Sequence, residues 1–325
     1  MPHVKTLFLD RATVDSLLSY PLIWEAVESV FRSDAAGHVF LPHKEFISIG
    51  ADSQLFPMSA ALYDAGIAGV KWTNFYPQNP FGFPTCWSHV LILTHLDDGQ
   101  PYAILDATGI TAKRTAGGHA VVAAAALTRP DPQVIGVAGL GAQGMAAVRA
   151  FDERFHPEEI RILTGERSRK LHEEELRSAV RAKLRFVSSG RELAAESDIV
   201  VTATTASEPV LRETEVPAGC TVCGMYSFVD LDPALSRCAD KWILGQRSSD
   251  KEEILEDPLL VGRLSEKDVY ASLGEILTGK RPGRETPDER IVFTHMGMAA
   301  LDIAVADRVV AQAQRLGLGQ MLTLN

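Results

Sequence analysis

The chain lacks most features that mark specialised protein classes. Aromatic residues make up 7% of its 325 residues. No apolar run reaches the length that spans a bilayer. Cationic excess is absent: the net charge of −10 argues against nucleic acid or an anionic membrane as partner. Cysteine is scarce, with four in all: Cys86, Cys220, Cys223 and Cys238. Cys220 and Cys223 form a C-x-x-C, but no second such pair and no histidine pair completes a metal site. The segment CTVCGM follows a Pro-Ala-Gly turn and reads as a buried strand, on which residues three apart face opposite ways, so these are expected to be buried, reduced thiols. The nine histidines show neither H-x-x-x-H nor H-E-x-x-H spacing. No metal is expected. Internal repeats and low-complexity tracts are also missing. The opening MPHVKTLFLDRATVDSLL carries charges too early for a secretory leader, and a cytoplasmic location is the expectation. The remaining composition, 46% hydrophobic and 23% charged, is ordinary for a globular chain long enough for two cores.

What the chain does have is a strand–turn–helix signal. An apolar run, Val134 to Ala138, leads into Gly139-Leu-Gly141-Ala142-Gln143-Gly144, and a small-residue helical run follows. In such a turn the first glycine permits the bend and the second lets backbone approach a pyrophosphate. The third lets helix pack on strand. The helix then directs its unpaired N–H groups and positive dipole end at phosphates. A bound dinucleotide is the reading; a βα turn without ligand is the alternative.

Around this signal the pattern changes twice. A short strand, VKTLFL, precedes one helix expected from about Asp15 to Ser33, with apolar residues at helical spacing. From Val39 to Leu105, short runs broken by Gly, Pro and Asn predict an antiparallel meander, with Asp-Asp-Gly-Gln as the clearest hairpin turn. Ile110 to Leu127 is alanine-rich and reads as one long helix, ended by Thr-Arg-Pro-Asp-Pro. From Val134 onward strands alternate with helices, which predicts a doubly wound parallel sheet. After Pro287 come one more strand and a long amphipathic helix. The fold class is therefore α/β: a Rossmann-type parallel sheet plus an α+β domain with an antiparallel meander. A cofactor is expected at the carboxyl ends of the parallel strands, facing the meander domain, with reacting groups drawn largely from that domain.

Several residues carry candidate chemistry. The second parallel strand ends at Thr164, and Glu166, Arg167, Ser168, Arg169 and Lys170 follow. An acid there suits a ribose 2′-OH, whereas a cationic cluster with a hydroxyl suits a 2′-phosphate. The same residues also fit a solvated helix start. The lean is to NADP(H) over NAD(H). Lys71 sits in an apolar strand between Val70 and Trp72, so it either snorkels to solvent or occupies a pocket, where burial lowers its pKa and makes it an acid or base near neutrality. Arg114 can clamp a carboxylate with its planar fork. Thr111 and Thr115 can cap a helix or bind phosphate oxygens. Gln143 can reach phosphate or ribose, and Thr202, Ala203 and Thr204 end the fourth parallel strand beside a nucleotide. Gly297 falls in a turn before the last helix, which carries Asp302. A side-chain pocket is expected from residues such as Met58, Trp72, Phe75, His89 and Tyr226.

The order VKWTNFYPQNP, LDDGQPYAILDATGITAKRTAGGHAVVAAAAL, VIGVAGLGAQG, TATTASEPVL, LGEILTGKRPG, VFTHMGMAALD resembles the ornithine cyclodeaminase/μ-crystallin family over nearly the whole chain. The most specific element is D-[AG]-x-x-[IL]-T-x-x-R-T, Asp106 to Thr115, followed by G-x-G-A-Q-G. The resemblance implies an NAD(P)-dependent oxidoreductase that interconverts a small amino acid, open or cyclic, and its imino acid. It matches the family's pocket lysine to Lys71 and its carboxylate-binding arginine to Arg114. A second family arginine falls near Pro42-His43-Lys44, where Lys44 is the nearest substitute. It also implies nucleotide contacts at Met225 and Gly297, a homodimer formed through the meander, and a last helix packed on the first domain. The domains are then 1–115, completed by 296–325, for substrate and dimerisation, and 116–295 for the dinucleotide. One departure matters. Cyclodeaminases carry Gly-Ala-Asp on the fifth parallel strand, the aspartate being an acid/base; here the residues are Gly224-Met225-Tyr226. A phenol of ordinary pKa near 10 is no carboxylate base at neutral pH, although Asp230 follows four residues on. Ornithine cyclisation to proline is thus the second reading, and a non-catalytic, nucleotide-dependent binding protein the third.

Overall fold

The computed structural model describes residues 4–50, 52–77, 87–225, 229–247 and 263–324. The chain divides into two compact units, Met1–Arg114 with Met298–Asn325, and Thr115–Gly297.

In the first unit, β1 (Lys5–Leu9) leads to α1 (Arg11–Leu17) and α2 (Tyr20–Ala35). The single helix expected here is two. Ser19 caps the second by accepting from the Leu22 N–H, and Pro21 occupies its first turn, so the chain restarts rather than continues. After two short strands, β2 (Val39–Phe40) and β3 (Ile47–Ser48), comes the meander: β4 (Gln54–Leu62), β5 (Ile67–Phe75), β6 (Trp87–His95) and β7 (Pro101–Asp106). Neighbours along it pair antiparallel. Positive φ at Gly66 and Gly99 serves two of its tight turns. The sheet runs β16-β1-β7-β6-β5-β4-β2, with β3 on β4, where β16 is Gln320–Thr323 near the end of the chain.

The helical run after β7 is also not one regular helix. α3 (Thr108–Arg114) gives way to a π-helical turn, Thr115–His119, and then to α4 (Ala120–Leu127). The π turn spans TAGGH, whose two adjacent glycines relax the α-helical register.

The second unit is a parallel sheet of β8 (Val134–Ala138), β9 (Glu159–Leu163), β10 (Lys183–Val187), β11 (Ile199–Thr202), β12 (Thr221–Gly224), β13 (Lys241–Leu244), β14 (Val269–Ser272) and β15 (Ile291–Thr294). Its order is β10-β9-β8-β11-β12-β15-β13-β14. The connections among the described residues include α5 (Ala142–Phe155), α6 (Glu166–Ala179), α7 (Gly190–Ala194), α8 (Pro233–Cys238) and α9 (Leu273–Leu277). β11, β12, β13 and β15 are buried throughout, which explains their mainly apolar character, with polar residues only at their ends. The strand order reverses beside β8, so the ends of β8 and β11 form the switch point where α/β sheets bind ligands. Cys220 and Cys223 are buried thiols; burial pushes the Cys220 pKa up to about 12 and raises that of Cys223 as well.

The last helix, α10 (Ala299–Leu316), belongs to the first unit, where it packs across β4, β5 and β6 and against α2. Among the described residues no helix is long and apolar enough to cross a membrane.

Candidate active site

Lys71 lies at the middle of β5, opposite Met58 on β4 and Leu91 on β6. Alternation along the strand puts Lys71 on the face of Gly69 and Thr73, and Trp72 on the other. The first face is the one α10 covers. A Cβ at Gly69 would lie 2.7 Å from the Ile92 carbonyl oxygen and 3.1 Å from Ile303 Cγ1, so glycine lets the helix sit tight on the sheet. The residue before Ile303 is Asp302, in the first turn of α10, where a negative charge also suits the helix dipole.

Asp302 gathers two cations. Lys71 Nζ donates to its Oδ2 at 2.9 Å, and Arg114 Nε to its Oδ1 at 3.0 Å. Thr111 Oγ1 donates to Oδ1 at 3.2 Å and accepts from Lys71 at 3.4 Å. Lys71, Arg114 and Asp302 are all buried, Lys71 to 1% exposure. Burial pulls the Lys71 pKa down to about 8, against the attraction of Asp302 and with the repulsion of Arg114 and Lys44. Burial raises the pKa of Asp302, but Arg114 and Lys71 outweigh it and hold the carboxyl at about 2. The partners shift unequally because one anion faces two cations. Asp302 takes Arg114 through Nε. Lys44 stands close enough to act on the Lys71 charge. Beside Lys71 along the sheet, His89 Nδ1 meets Thr73 Oγ1 at 3.2 Å.

In the second unit, β8 turns at Gly139, φ +91°, where a Cβ would collide with the Ala203 carbonyl oxygen. Gly144 packs on the Gly139 backbone just as closely, which is why helix follows strand with no intervening side chain. Gly141 is different: a Cβ there would point into open space at the N-terminus of α5, which Ala142 begins and no side chain caps. This bare cradle of N–H groups fits a pyrophosphate. The Gln143 amide oxygen accepts from the Ala116 N–H at 3.1 Å, in the π turn that Thr115 begins, so it faces that turn rather than the cradle. The end of β11 is held by Asp230, whose buried carboxylate accepts from Thr202 Oγ1 at 3.2 Å, Thr204 N at 3.3 Å and Thr204 Oγ1 at 3.2 Å. Burial raises its pKa to about 6 despite these donors. Ala203 N donates to the Ala138 carbonyl at 2.9 Å, tying this turn to β8. Met225 is buried and donates from its N–H to the Thr202 carbonyl.

At the end of β9, Thr164 and Gly165 precede α6, whose first residues are Glu166, Arg167 and Ser168. Lys170 pairs with Glu166 at 3.2 Å and Arg169 with Glu173 at 2.8 Å, with the Arg169 guanidinium 4.4 Å over the Phe186 ring. Gly297 has φ +77° in the turn between β15 and α10. Tyr226 lies outside the described residues.

The structure thus gathers Lys44, Met58, Lys71, Thr111 and Arg114 in one unit. It gathers Gly139 to Gly144, Thr202 to Thr204 and Met225 in the other. Thr111 and Arg114, expected at the cofactor, both spend bonds on Asp302. Trp72, expected in the pocket, is 45% exposed on the opposite face. Asp230 binds the Thr202–Thr204 turn rather than standing as a separate base. The residue that sequence reasoning left without a role is Asp302. Its signals were a place at the end of the family segment VFTHMGMAALD and a lone carboxylate inside the apolar run MAALDIAV, the counterpart of a lone lysine in GVKW.

The chain is 29% identical to the alanine dehydrogenase of Archaeoglobus fulgidus, over 98% of each chain. The solved Thermococcus litoralis Δ1-pyrroline-2-carboxylate reductase, in complex with NADH and L-proline, superposes with a TM-score of 0.87 at 26% identity, covering 97% of this chain and 99% of that one. An archaeal alanine dehydrogenase dimer with bound NAD superposes with a TM-score of 0.85 at 26% identity, covering 99% and 100%. The profile of the ornithine cyclodeaminase/mu-crystallin family matches residues 4–316, and the chain belongs to that family.

Proposed function

We propose that the protein is an NAD(P)-dependent oxidoreductase that interconverts an α-amino acid and its α-imino acid, acting in the cytoplasm as a homodimer. The observation that carries this reading is the buried Lys71–Asp302–Arg114 cluster. One carboxylate fixes two cations, and the Arg114 fork grips a substrate carboxylate and holds the adjacent Cα in place. Lys71, with its pKa near 8, remains mostly protonated at neutral pH yet releases a proton at little cost. Protonated, it donates to the imine nitrogen in reduction, leaving the amine; neutral, it takes that proton back from the amine nitrogen in oxidation. When bound, the nicotinamide supplies or takes the hydride. The relatives named above act on alanine, or bind NADH with L-proline, and so support the same chemistry here.

The cradle at Gly141 supports dinucleotide binding by the second unit. For the 2′ position we favour a phosphate, hence NADP(H): Glu166 is engaged by Lys170, while Arg167 and Ser168 stand on the first turn of α6. Much tighter binding of NAD(H) in a titration of both cofactors would reverse that choice. Trp72 and Val90, cross-strand partners 45% and 43% exposed on the meander's outer face, support a dimer surface there.

The decisive experiment is Lys71→Met. It is expected to cut turnover by orders of magnitude and leave dinucleotide affinity nearly intact. Wild-type turnover in that variant would remove Lys71 from the mechanism. Proline and ammonia formed from ornithine with catalytic NAD would replace the proposal with cyclisation.

A further inference from the structure

The sheet face that carries Lys71 changes character at that residue. On one side it is roofed by α10, with Ile303 close over Gly69. On the other side, register places Phe56 and Thr73 opposite each other, then Thr73 opposite His89, then Phe75 opposite Trp87. All five side chains share the Lys71 face by alternation. Their rings form a connected floor. Phe75 and Trp87 have centroids 4.6 Å apart, Phe56 meets Trp87 edge-on at 5.9 Å, and Trp87 stacks on His89 at 6.0 Å. Phe56, Phe75 and Trp87 are half-buried, so the ring surfaces remain partly open.

We infer that this floor receives the substrate's side chain and selects an aryl or large apolar group over a methyl or an alkylammonium. The inference rests on the proposed amino-acid chemistry and names its substrate class. Two further observations support it. A substrate α-carboxylate held by Arg114 has its side chain within a few residues' rise of the rings, since Thr73 is about 7 Å along the strand from Lys71 at roughly 3.3 Å per residue. The floor also carries no charge to meet a distal ammonium. Burial, then Lys71, pulls the His89 pKa down to about 3, so the ring is neutral. The one carboxylate acting on His89 among the described residues is Asp302, already bridging Lys71 and Arg114. Aromatic faces, in contrast, stack on an aryl ring at the usual offset or edge-on separations.

The test compares kcat/KM for oxidation of L-phenylalanine, L-alanine and L-ornithine by the full-length enzyme. Calorimetric titrations with phenylpyruvate and pyruvate run beside it. Phenylalanine is expected to lead by at least about tenfold, in line with the discrimination of apolar pockets. Phe56→Leu and Phe75→Leu should each lower the ratio of kcat/KM for phenylalanine to that for alanine, a change that simple loss of folded enzyme does not produce. Preference for alanine or ornithine, or an equal fall for both substrates in the variants, overturns the inference and leaves the redox reading standing. Tight phenylpyruvate binding without turnover of any amino acid supports the floor and sinks the redox reading. Absence of both overturns the two together.

Discussion

Replacing Asp302 by Asn probes the cluster most directly. The substitution preserves shape but leaves Lys71 and Arg114 buried with no counter-charge. At about 3 Å and an effective dielectric of about 20, each cation–carboxylate contact has a gross attraction of roughly 5–6 kcal/mol. Most of that only offsets desolvation, and the expected net loss is the cost of breaking a buried pair, about 3–5 kcal/mol. Lys71→Met removes an ammonium whose depressed pKa marks it as a net burden in the fold and keeps the Arg114–Asp302 bond, so at neutral pH it should be close to neutral or stabilising. The double variant should cost less than the sum by about 1–3 kcal/mol, because losing the ammonium relieves part of the repulsion created by losing the carboxylate. Urea unfolding read by tryptophan emission in a Trp242→Phe background reports the first unit through Trp24, Trp72 and Trp87. The pH dependence adds a second check. Lys71 has a folded pKa of about 8 against an ordinary 10.5, so between those values the unfolded chain binds more protons. Wild-type stability relative to Lys71→Met should therefore rise with pH across that window, by about 3 kcal/mol at 1.36 per unit. Asp302 acts at the other end: its contribution is full above pH 3.8 and lost as pH falls through about 2. In Asp302→Asn the acid window vanishes and the alkaline one starts lower. A loss under about 1 kcal/mol for Asp302→Asn, or strict additivity in the cycle, would refute the claim that one carboxylate organises both cations.

Two further expectations concern the nucleotide unit. Gly139→Ala forces a Cβ onto the Ala203 carbonyl at a φ of +91°; it should destabilise by at least about 1–3 kcal/mol and abolish binding of both NADPH and NADH in fluorescence titrations, and retained affinity would show that the turn is not a cofactor seat. Asp230→Asn removes a charge-assisted acceptor from Thr202 and Thr204, so the dinucleotide dissociation constant should rise about tenfold. In the wild type, affinity should weaken as pH falls through about 6, where Asp230 gains its proton, and the variant should lack that step; an unchanged step would assign it to another group.

Local signals were the legible ones. Gly139, Gly141 and Gly144 could be read because a βα turn encodes its needs within six residues, and each glycine meets a different need: a positive φ, an open cradle and close helix packing. The alternation of the meander gave Lys71 away as a charge in an apolar row. The helix boundaries were less legible. The break at Leu18–Ser19 depends on a cap that a periodic apolar pattern hides, and the π turn at Thr115 on glycines that look like ordinary helix content. Trp72 was misplaced because an aromatic next to a pocket lysine looks like pocket, whereas period-two alternation sends it to the opposite face.

Asp302 illustrates a different limit. It meets Lys71 across 231 positions and Arg114 across 188, because the chain leaves the first unit at Arg114, builds the whole parallel sheet, and returns at Met298. No window of sequence contains both ends of that contact. What sequence does contain is the pair of anomalies, a cation in one apolar run and an anion in another. Neither is tolerable alone, since burying an unpaired charge costs several kcal/mol. In a chain whose tail is apolar enough to be buried, the economical inference is that the two neutralise each other. Once that is granted, the first unit needs its C-terminal helix for two reasons at once: to roof the sheet at Gly69 and to supply the charge that lets Lys71 and Arg114 stay inside. The burial of both cations and the stability of that unit are then one electrostatic problem, which is why a single carboxylate at the far end of the sequence governs both.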